Sequence, residues 1–357
     1  VILFLVLSIA LTAILLSLVH PIVVAMSTPT DAVSGTVTYL TICFIGIPFI
    51  TSYNIISSIF RGLGDSKSPM CFIATACAAN IALDYLFMGV LHLGPAGAAL
   101  GTTLSQAISV VVSLTVILKR RSIVLKKSDF KPCRAVMGKI LGIGIPIAFQ
   151  DGLIQVAFII ITIIANQRGL NDAAAVGIVE KVISFLFLVP SSMLSTVSAL
   201  GAQNIGAGKP ERAIQTLRYA VMLAAGFGVL ASIAIQFTAE GIVSLFTDPS
   251  TADGAAVVRF GGQYLRGYIF DCIFAGIHFS FSGFFCACRK SGLSFLHNIL
   301  AIVLMRVPGV YVTSKLFPAT LLPMGLATAA GSLLSVVICL IAFGVIRRKS
   351  TLVLVEE

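Results

Sequence analysis

The chain has 357 residues, 58% of them hydrophobic and 11% charged, with a mean hydropathy of +1.05. A water-soluble domain carries roughly 25% charged residues, so this composition excludes a fold with its whole surface in water and points to an integral membrane protein. The 24 Lys and Arg against 14 Asp and Glu leave +10, a balance that in a soluble protein would suggest nucleic acid and here is assigned to a membrane surface. Eight cysteines are scattered through apolar runs, with only Cys286 and Cys288 close together, and read as small buried hydrophobes.

Ten apolar stretches follow one another, at about 3 to 26, 39 to 60, 69 to 91, 96 to 118, 140 to 165, 173 to 199, 214 to 237, 260 to 286, 293 to 315 and 322 to 346. Each approaches the roughly 20 residues that cross a hydrocarbon core. They are too long for barrel strands and do not alternate in polarity, so the class is all-α integral membrane. The run from Val1 to Met26 is too long for a signal peptide and lacks its basic flank. With no start methionine, the sequence reads as a fragment.

Lys and Arg sort by side. Loops holding Arg61 and Lys67, the segment Lys119 to Lys139, then Lys209, Arg212 and Arg218, Arg289 and Lys290, and finally Arg347 to Lys349 carry 18 of the 24 basic residues. This places the linker and the C-terminus in the cytoplasm of a multi-pass cell-membrane protein. The linker separates four stretches from six. At an offset of about 225 residues Tyr39-Leu40 matches Tyr264-Leu265, Phe60 and Ser66 match Phe285 and Ser291, and Gly97-Ala98-Ala99 matches Gly325-Leu326-Ala327. A repeat of that length implies about 87 further residues ahead of Val1, and hence twelve spans. The expected architecture is two six-helix lobes related by a pseudo-twofold: an incomplete lobe at 1–118, a basic linker at 119–138, a complete lobe at 139–349 and a tail at 350–357. Such parallel repeats occur in secondary transporters.

Two loops carry a resemblance. Arg61-Gly62-Leu63-Gly64-Asp65-Ser66-Lys67-Ser68-Pro69-Met70 lies between the second and third stretches. Its glycines permit a tight reversal, Ser68 is placed as the helix N-cap and Pro69 at the first helical position. Gly201-Ala202-Gln203-Asn204-Ile205-Gly206-Ala207-Gly208-Lys209-Pro210-Glu211-Arg212-Ala213 ends the second stretch after the linker, and Arg306-Val307-Pro308 lies in the ninth. Together these resemble the signatures of the multidrug and toxic compound extrusion (MATE) transporters. In the first loop Arg61, Gly62, Gly64, Asp65 and Pro69, and in the second Gln203, Asn204, Gly206, Ala207 and Arg212, are given a structural or gating role.

Ionisable groups at membrane depth cost about 2.5–3.5 kcal/mol each, which makes Asp84, Asp151, Glu180 with Lys181, Asp271 and Arg306 the functional candidates. Asn80 and Asp84 stand four apart on one helical face. An amide carbonyl and a carboxylate together suit Na⁺, or a proton on the carboxylate. The resemblance adds Thr102, since one MATE branch combines an Asn and Asp at this spacing with a Thr of the following helix. Asp151 and Asp271 compare by helix with acids of a second branch. Glu180 is expected to pair with Lys181 or Arg306 as a neutral structural pair, while Asp271, with no basic residue within one helical turn in sequence, is assigned a functional role.

Pro48, Pro146 and Pro190 are expected kinks, Gly97 and Gly101 a helix-packing face, and the many Phe with Met193 lipid-facing or cavity-lining. His20, His92, His278 and His297 show no partner spacing. No P-loop or nucleophile-base set is present, so an enzyme is not expected. The resemblance implies a secondary antiporter, monomeric in the lipid bilayer and using no cofactor, that exports small organic compounds, cationic or amphipathic, in exchange for H⁺ or Na⁺. A flippase for lipid-linked precursors is the alternative.

Overall fold

A computed structural model of the chain describes residues 2–25, 30–120 and 133–348. Residues 121–132, most of the basic linker, and the tail from 349 lie outside the described residues, as do the side chains of residues 25, 30, 31 and 120. The described residues form helices and short turns without a strand, in two compact units, Val1–Met137 and Gly138–Glu357.

The first unit contains α1 (Ile2–Ser17), α2 (Val19–Ala25), α3 (Thr30–Ile45), α4 (Ile47–Gly62), α5 (Lys67–Asp84), a π-helical turn (Tyr85–Val90) and α6 (Gly94–Arg120). The second contains α7 (Arg134–Asn166), α8 (Leu170–Leu186), α9 (Leu188–Gly206), α10 (Pro210–Val243), α11 (Ala252–Tyr268), α12 (Phe270–Ala287), α13 (Ser291–Ala301), a π-helical turn (Ile302–Arg306), α14 (Val307–Leu316) and α15 (Leu322–Arg348).

Among the described residues nine helical stretches are long and apolar enough to cross a membrane, with α3 and α4, α8 and α9, and α11 and α12 each joined into one stretch. The first expected stretch, about 3 to 26, is divided at Leu18 into helices of 16 and 7 residues. Proline chemistry explains the break. Pro21 has no amide to donate to the Ser17 carbonyl and its ring crowds that turn. The same rule places the interruptions at Gly46 before Pro48, at Phe187 before Pro190 and at the π turn before Pro308. Pro146 instead stays inside α7, and the Gly142 carbonyl it leaves without an amide accepts a bond from Ser291 Oγ at 3.2 Å.

The expected repeat is visible in the elements. In both units a helix breaks, resumes, reverses, and is followed by a helix with a π turn and a final long helix. The breaks fall at Gly46 and Ile269. The reversals match atom by atom: Asp65 N bonds Phe60 O at 2.9 Å over Gly64 (φ 88°), and Lys290 N bonds Phe285 O at 2.7 Å over Arg289 (φ 55°). These are left-handed helix C-caps closed by a six-to-one bond.

In the second unit the α11–α12 stretch is 72% buried over its most apolar window, against 22–39% for the unit's other spans. Tyr264, Tyr268 and Ile269 pack there against Val176, Val179 and Ile183 of α8. A second cluster joins Phe281, Phe284 and Phe285, with Phe343 set edge-on to Phe281 and Phe284 at 5.7 and 5.6 Å. Phe281, Phe284 and Phe285 are core residues rather than lipid-facing ones, and the half-buried Phe343 and Met193 pack against them. The first unit's smaller core is Tyr53, Ile56, Phe60, Phe72 and Ile117.

Candidate functional site

In the first signature loop, Arg61 and Gly62 finish α4 and Gly64 makes the left-handed turn. The cap is not the one expected. Helix α5 starts at Lys67, and Asp65 Oδ1 accepts the amides of Lys67 and Ser68 at 3.1 and 3.0 Å while Ser68 Oγ donates to Asp65 Oδ2 at 2.6 Å. A carboxylate offers enough lone pairs for two orphan amides and a hydroxyl at once, so Asp65 displaces Ser68 as the cap. Pro69 becomes the third helical residue, where a missing amide leaves nothing unpaired.

In the second loop Gln203, Asn204 and Gly206 close α9, the Ala207 amide bonds the Gln203 carbonyl at 3.0 Å, and Asn204 O accepts Lys209 N at 2.8 Å over Gly208 (φ 70°). Arg212 lies exposed in the first turn of α10. Both signatures thus act as helix-reversal chemistry.

Helix α6 approaches the end of α5 through its glycines. A Cβ on Gly97 would lie 3.1 Å from the Phe87 carbonyl, and one on Gly101 would overlap Asp84 Oδ1. The small-residue face is therefore the seat of a carboxylate. Asp84 Oδ1 and Asn80 Nδ2 are both buried atoms without a hydrogen-bond partner. An amide turned by half a rotation presents oxygen where it had presented nitrogen, so the two side chains can offer two oxygens from successive turns of α5. Asn80 also lines a cavity of about 260 Å³ with Thr102, Tyr53, Ser105 and Gln106. Thr102 Oγ1 donates to Ala98 O at 3.1 Å and keeps its lone pairs. The structure thus brings Asn80 and Thr102 to one cavity, with Asp84 a turn beyond it along α5. Tyr53, whose hydroxyl is also buried and unpartnered, belongs to this site and was not singled out by the sequence. These oxygens fit a small hard cation or a proton.

The second unit is wired differently. Asp271 is fully buried and its Oδ2 accepts Arg306 Nη2 at 2.8 Å. Arg306 also donates to Tyr268 Oη at 3.0 Å and stands 5.5 Å from the Phe158 ring centroid. Asp271 has no basic residue within one turn in sequence, and its basic partner comes from 35 residues away. Glu180, expected to pair with Lys181 or Arg306, makes no ion pair with either and accepts from Thr162 Oγ1 at 3.3 Å. The pair joins the start of α12 to the π turn at Ile302–Arg306, which one-turn spacing within a helix does not reach. Asp151 is exposed, and its neighbour Gln150 is the buried polar residue, accepting from Ser294 Oγ at 2.6 Å.

Two histidines read as ordinary are not. His297 is bonded by both ring nitrogens, to Ser282 Oγ at 2.9 Å and Ser335 Oγ at 2.6 Å, and its ring lies 5.6 Å from that of His278. The serines reach it across three helices, and periodicity within any one helix does not reveal that.

Helices of membrane-crossing length, one with a carboxylate oxygen that has no partner and another with a carboxylate paired to an arginine of the next span, define an all-helical multi-pass membrane protein. The chain belongs to the MatE family, whose model matches residues 1–86 and 146–312. It is 30% identical over 306 residues to "Probable multidrug resistance protein YpnP" of Bacillus subtilis (strain 168), covering 86% of this chain and 66% of that protein. It is 27% identical to "FAD transporter" of Shewanella oneidensis, covering 76% of this chain and 60% of that protein, and 26% identical to "Multidrug export protein MepA" of Staphylococcus haemolyticus, covering 81% and 63%. The chain thus spans less than two thirds of the length of these relatives, the share reaching 66% for the first. The fold is that of a MATE transporter crystallised with MaL6 (TM-score 0.90, 20% identity, 98% of this chain and 78% of that one). It is also that of a MOP superfamily transporter from Pyrococcus furiosus (TM-score 0.91, 20% identity, 98% and 77%).

Proposed function

We propose that the chain is part of a secondary active exporter of organic compounds, cationic or amphipathic, driven by the inward movement of H⁺ or Na⁺, and that Asp84 with Asn80 holds the ion. Family membership supports export, since relatives carry multidrug names, and the observation that carries the coupling site is Asp84 Oδ1. It is a buried carboxylate oxygen inside a candidate span, with no protein partner, pressed on Gly101. An unpaired charge in low dielectric is costly. A proton or Na⁺ relieves that cost, so the ion's presence changes how α5 and α6 pack. Asn80 orients and shares the ion, and Thr102 closes the cavity beside it. Release of the ion restores the charge, which gives the unit two states that ion and substrate bias differently. In this reading the C-terminus and linker face the cytoplasm, and the protein works as a monomer.

The lipid-precursor flippase is not favoured. It calls for cationic groups open to an anionic headgroup, whereas the membrane-depth Arg306 is buried and already paired.

The reading is tested in inverted vesicles with a cationic dye as reporter, driving export separately with a pH gradient and with a Na⁺ gradient. One of the two gradients is expected to drive dye movement. Movement under neither would contradict the antiport.

A further inference from the structure

The two units repeat one plan at an offset of about 225 residues, yet they differ in how their membrane-depth carboxylates are satisfied. At that offset Arg306 falls at the level of Ile81, one turn from Asp84 on α5, while Asp84 itself falls on Gly309 and Asp271 on Gly46. Tyr39 lies within Coulombic reach of Asp84, and its counterpart Tyr264 lies within reach of Glu180, Arg306 and Asp271 together. Each charged residue rests on a glycine of its unit's final helix: Asp84 on Gly101, and Arg306 on Gly331, where an added Cβ would lie 2.7 Å from the arginine Cβ. The first unit offers a carboxylate oxygen with nothing on it. The second offers a carboxylate, Asp271, with a guanidinium 2.8 Å away.

The geometry points to Arg306 as a tethered substitute for the coupling cation. A guanidinium stays protonated at every physiological pH, so it holds Asp271 in a neutralised, ion-loaded arrangement through the whole transport cycle. The second unit is then held permanently neutralised, and only the first unit takes up and releases an ion. Arg306 acts here as a positioning residue, setting which unit is coupled. This rests on the coupling role given to Asp84, and the two are separable by experiment. Removing the guanidinium should open a cation site at Asp271, because Asp271 Oδ1 is already unpartnered and Oδ2 would join it.

The experiment is thermal unfolding of the purified protein in detergent, titrated with Na⁺, with guanidinium at low millimolar concentration, and with pH. For a site present only in the folded state, the melting temperature rises with ligand concentration. Arg306→Ala is expected to gain a stabilisation of several degrees by guanidinium or Na⁺ that the wild type lacks. The gain should vanish in Arg306→Ala/Asp271→Asn, be absent in Arg306→Lys, and persist in Arg306→Ala/Asp84→Asn. An Arg306→Ala variant without the added response, or with one that survives Asp271→Asn, would overturn the inference. Should Arg306→Ala not fold, Asp271→Asn in the wild-type background decides. It should leave the protein's own ion response intact, and loss of that response would place the coupling site in the second unit and overturn the inference. A wild-type ion response that survives Asp84→Asn would instead contradict the coupling role of Asp84 and leave the Arg306 result to be read on its own.

Discussion

Residue by residue, the membrane acids divide by whether the protein satisfies them. Asp84 Oδ1 has no partner, while Asp271 and Arg306 form a pair with side-chain exposures of 0% and 11%. Removing one member of a buried pair strands the other and costs about 3–5 kcal/mol, whereas replacing both with apolar groups can be neutral. Asp271→Leu or Arg306→Met alone should therefore lower stability by about that amount, and Asp271→Leu/Arg306→Met by clearly less than the sum, read from urea or thermal unfolding in detergent. An additive double variant would refute the pairing. For Asp84 the sensitive neighbour is Gly101. A Cβ there meets the carboxylate oxygen directly, so Gly101→Ala should abolish ion-driven dye transport while destabilising the fold by only about 1–3 kcal/mol, the usual range for overpacking. Ion-driven transport at wild-type rate in Gly101→Ala would mean that the carboxylate is not held where the function needs it.

Among elements, helix ends are set by a few side chains. Arg168 is the densest example: it pairs with Asp172 at 2.6 Å and donates to the carbonyls of Ser314 at 2.6 Å and Pro318 at 2.9 Å, clamping the turn after α14 to the α7–α8 junction. A lysine keeps the charge but not the planar fork, so Arg168→Lys should lose about 1.5–3 kcal/mol, the worth of one charge-assisted bond, measured as a drop in melting temperature. Arg289 shows the opposite sign. It is a non-glycine residue at φ 55°, where its repeat counterpart is Gly64. Arg289→Gly should stabilise the protein by about 1 kcal/mol by removing the left-handed Cβ clash. Much at this scale was legible in advance: the apolar runs located the spans, and the prolines and glycines located reversals and breaks. The cap at Asp65 was not, because several polar residues compete for the same amides and only geometry shows which reaches them. Nor was the Asp271–Arg306 pair, or the Ser282–His297–Ser335 chain, since both join helices that are separate in sequence.

At the scale of the molecule, low charged content identified the class, and the repeat matches in the sequence reappear as matched breaks, reversals and π turns in the two units. The matched plan makes their difference informative. One unit carries an open carboxylate and the other a closed ion pair, an asymmetry consistent with a transporter in which one unit senses the ion and the other supplies a rigid counterpart. Dye export by Asp84→Asn under the driving gradient, compared with Asp271→Asn, reads out whether Asp84 couples the ion to export. We expect Asp84→Asn to lose ion-driven export while remaining folded and inserted, and Asp271→Asn, at matched folded protein level, to keep its dependence on the ion. Full ion-dependent export by Asp84→Asn would contradict the account.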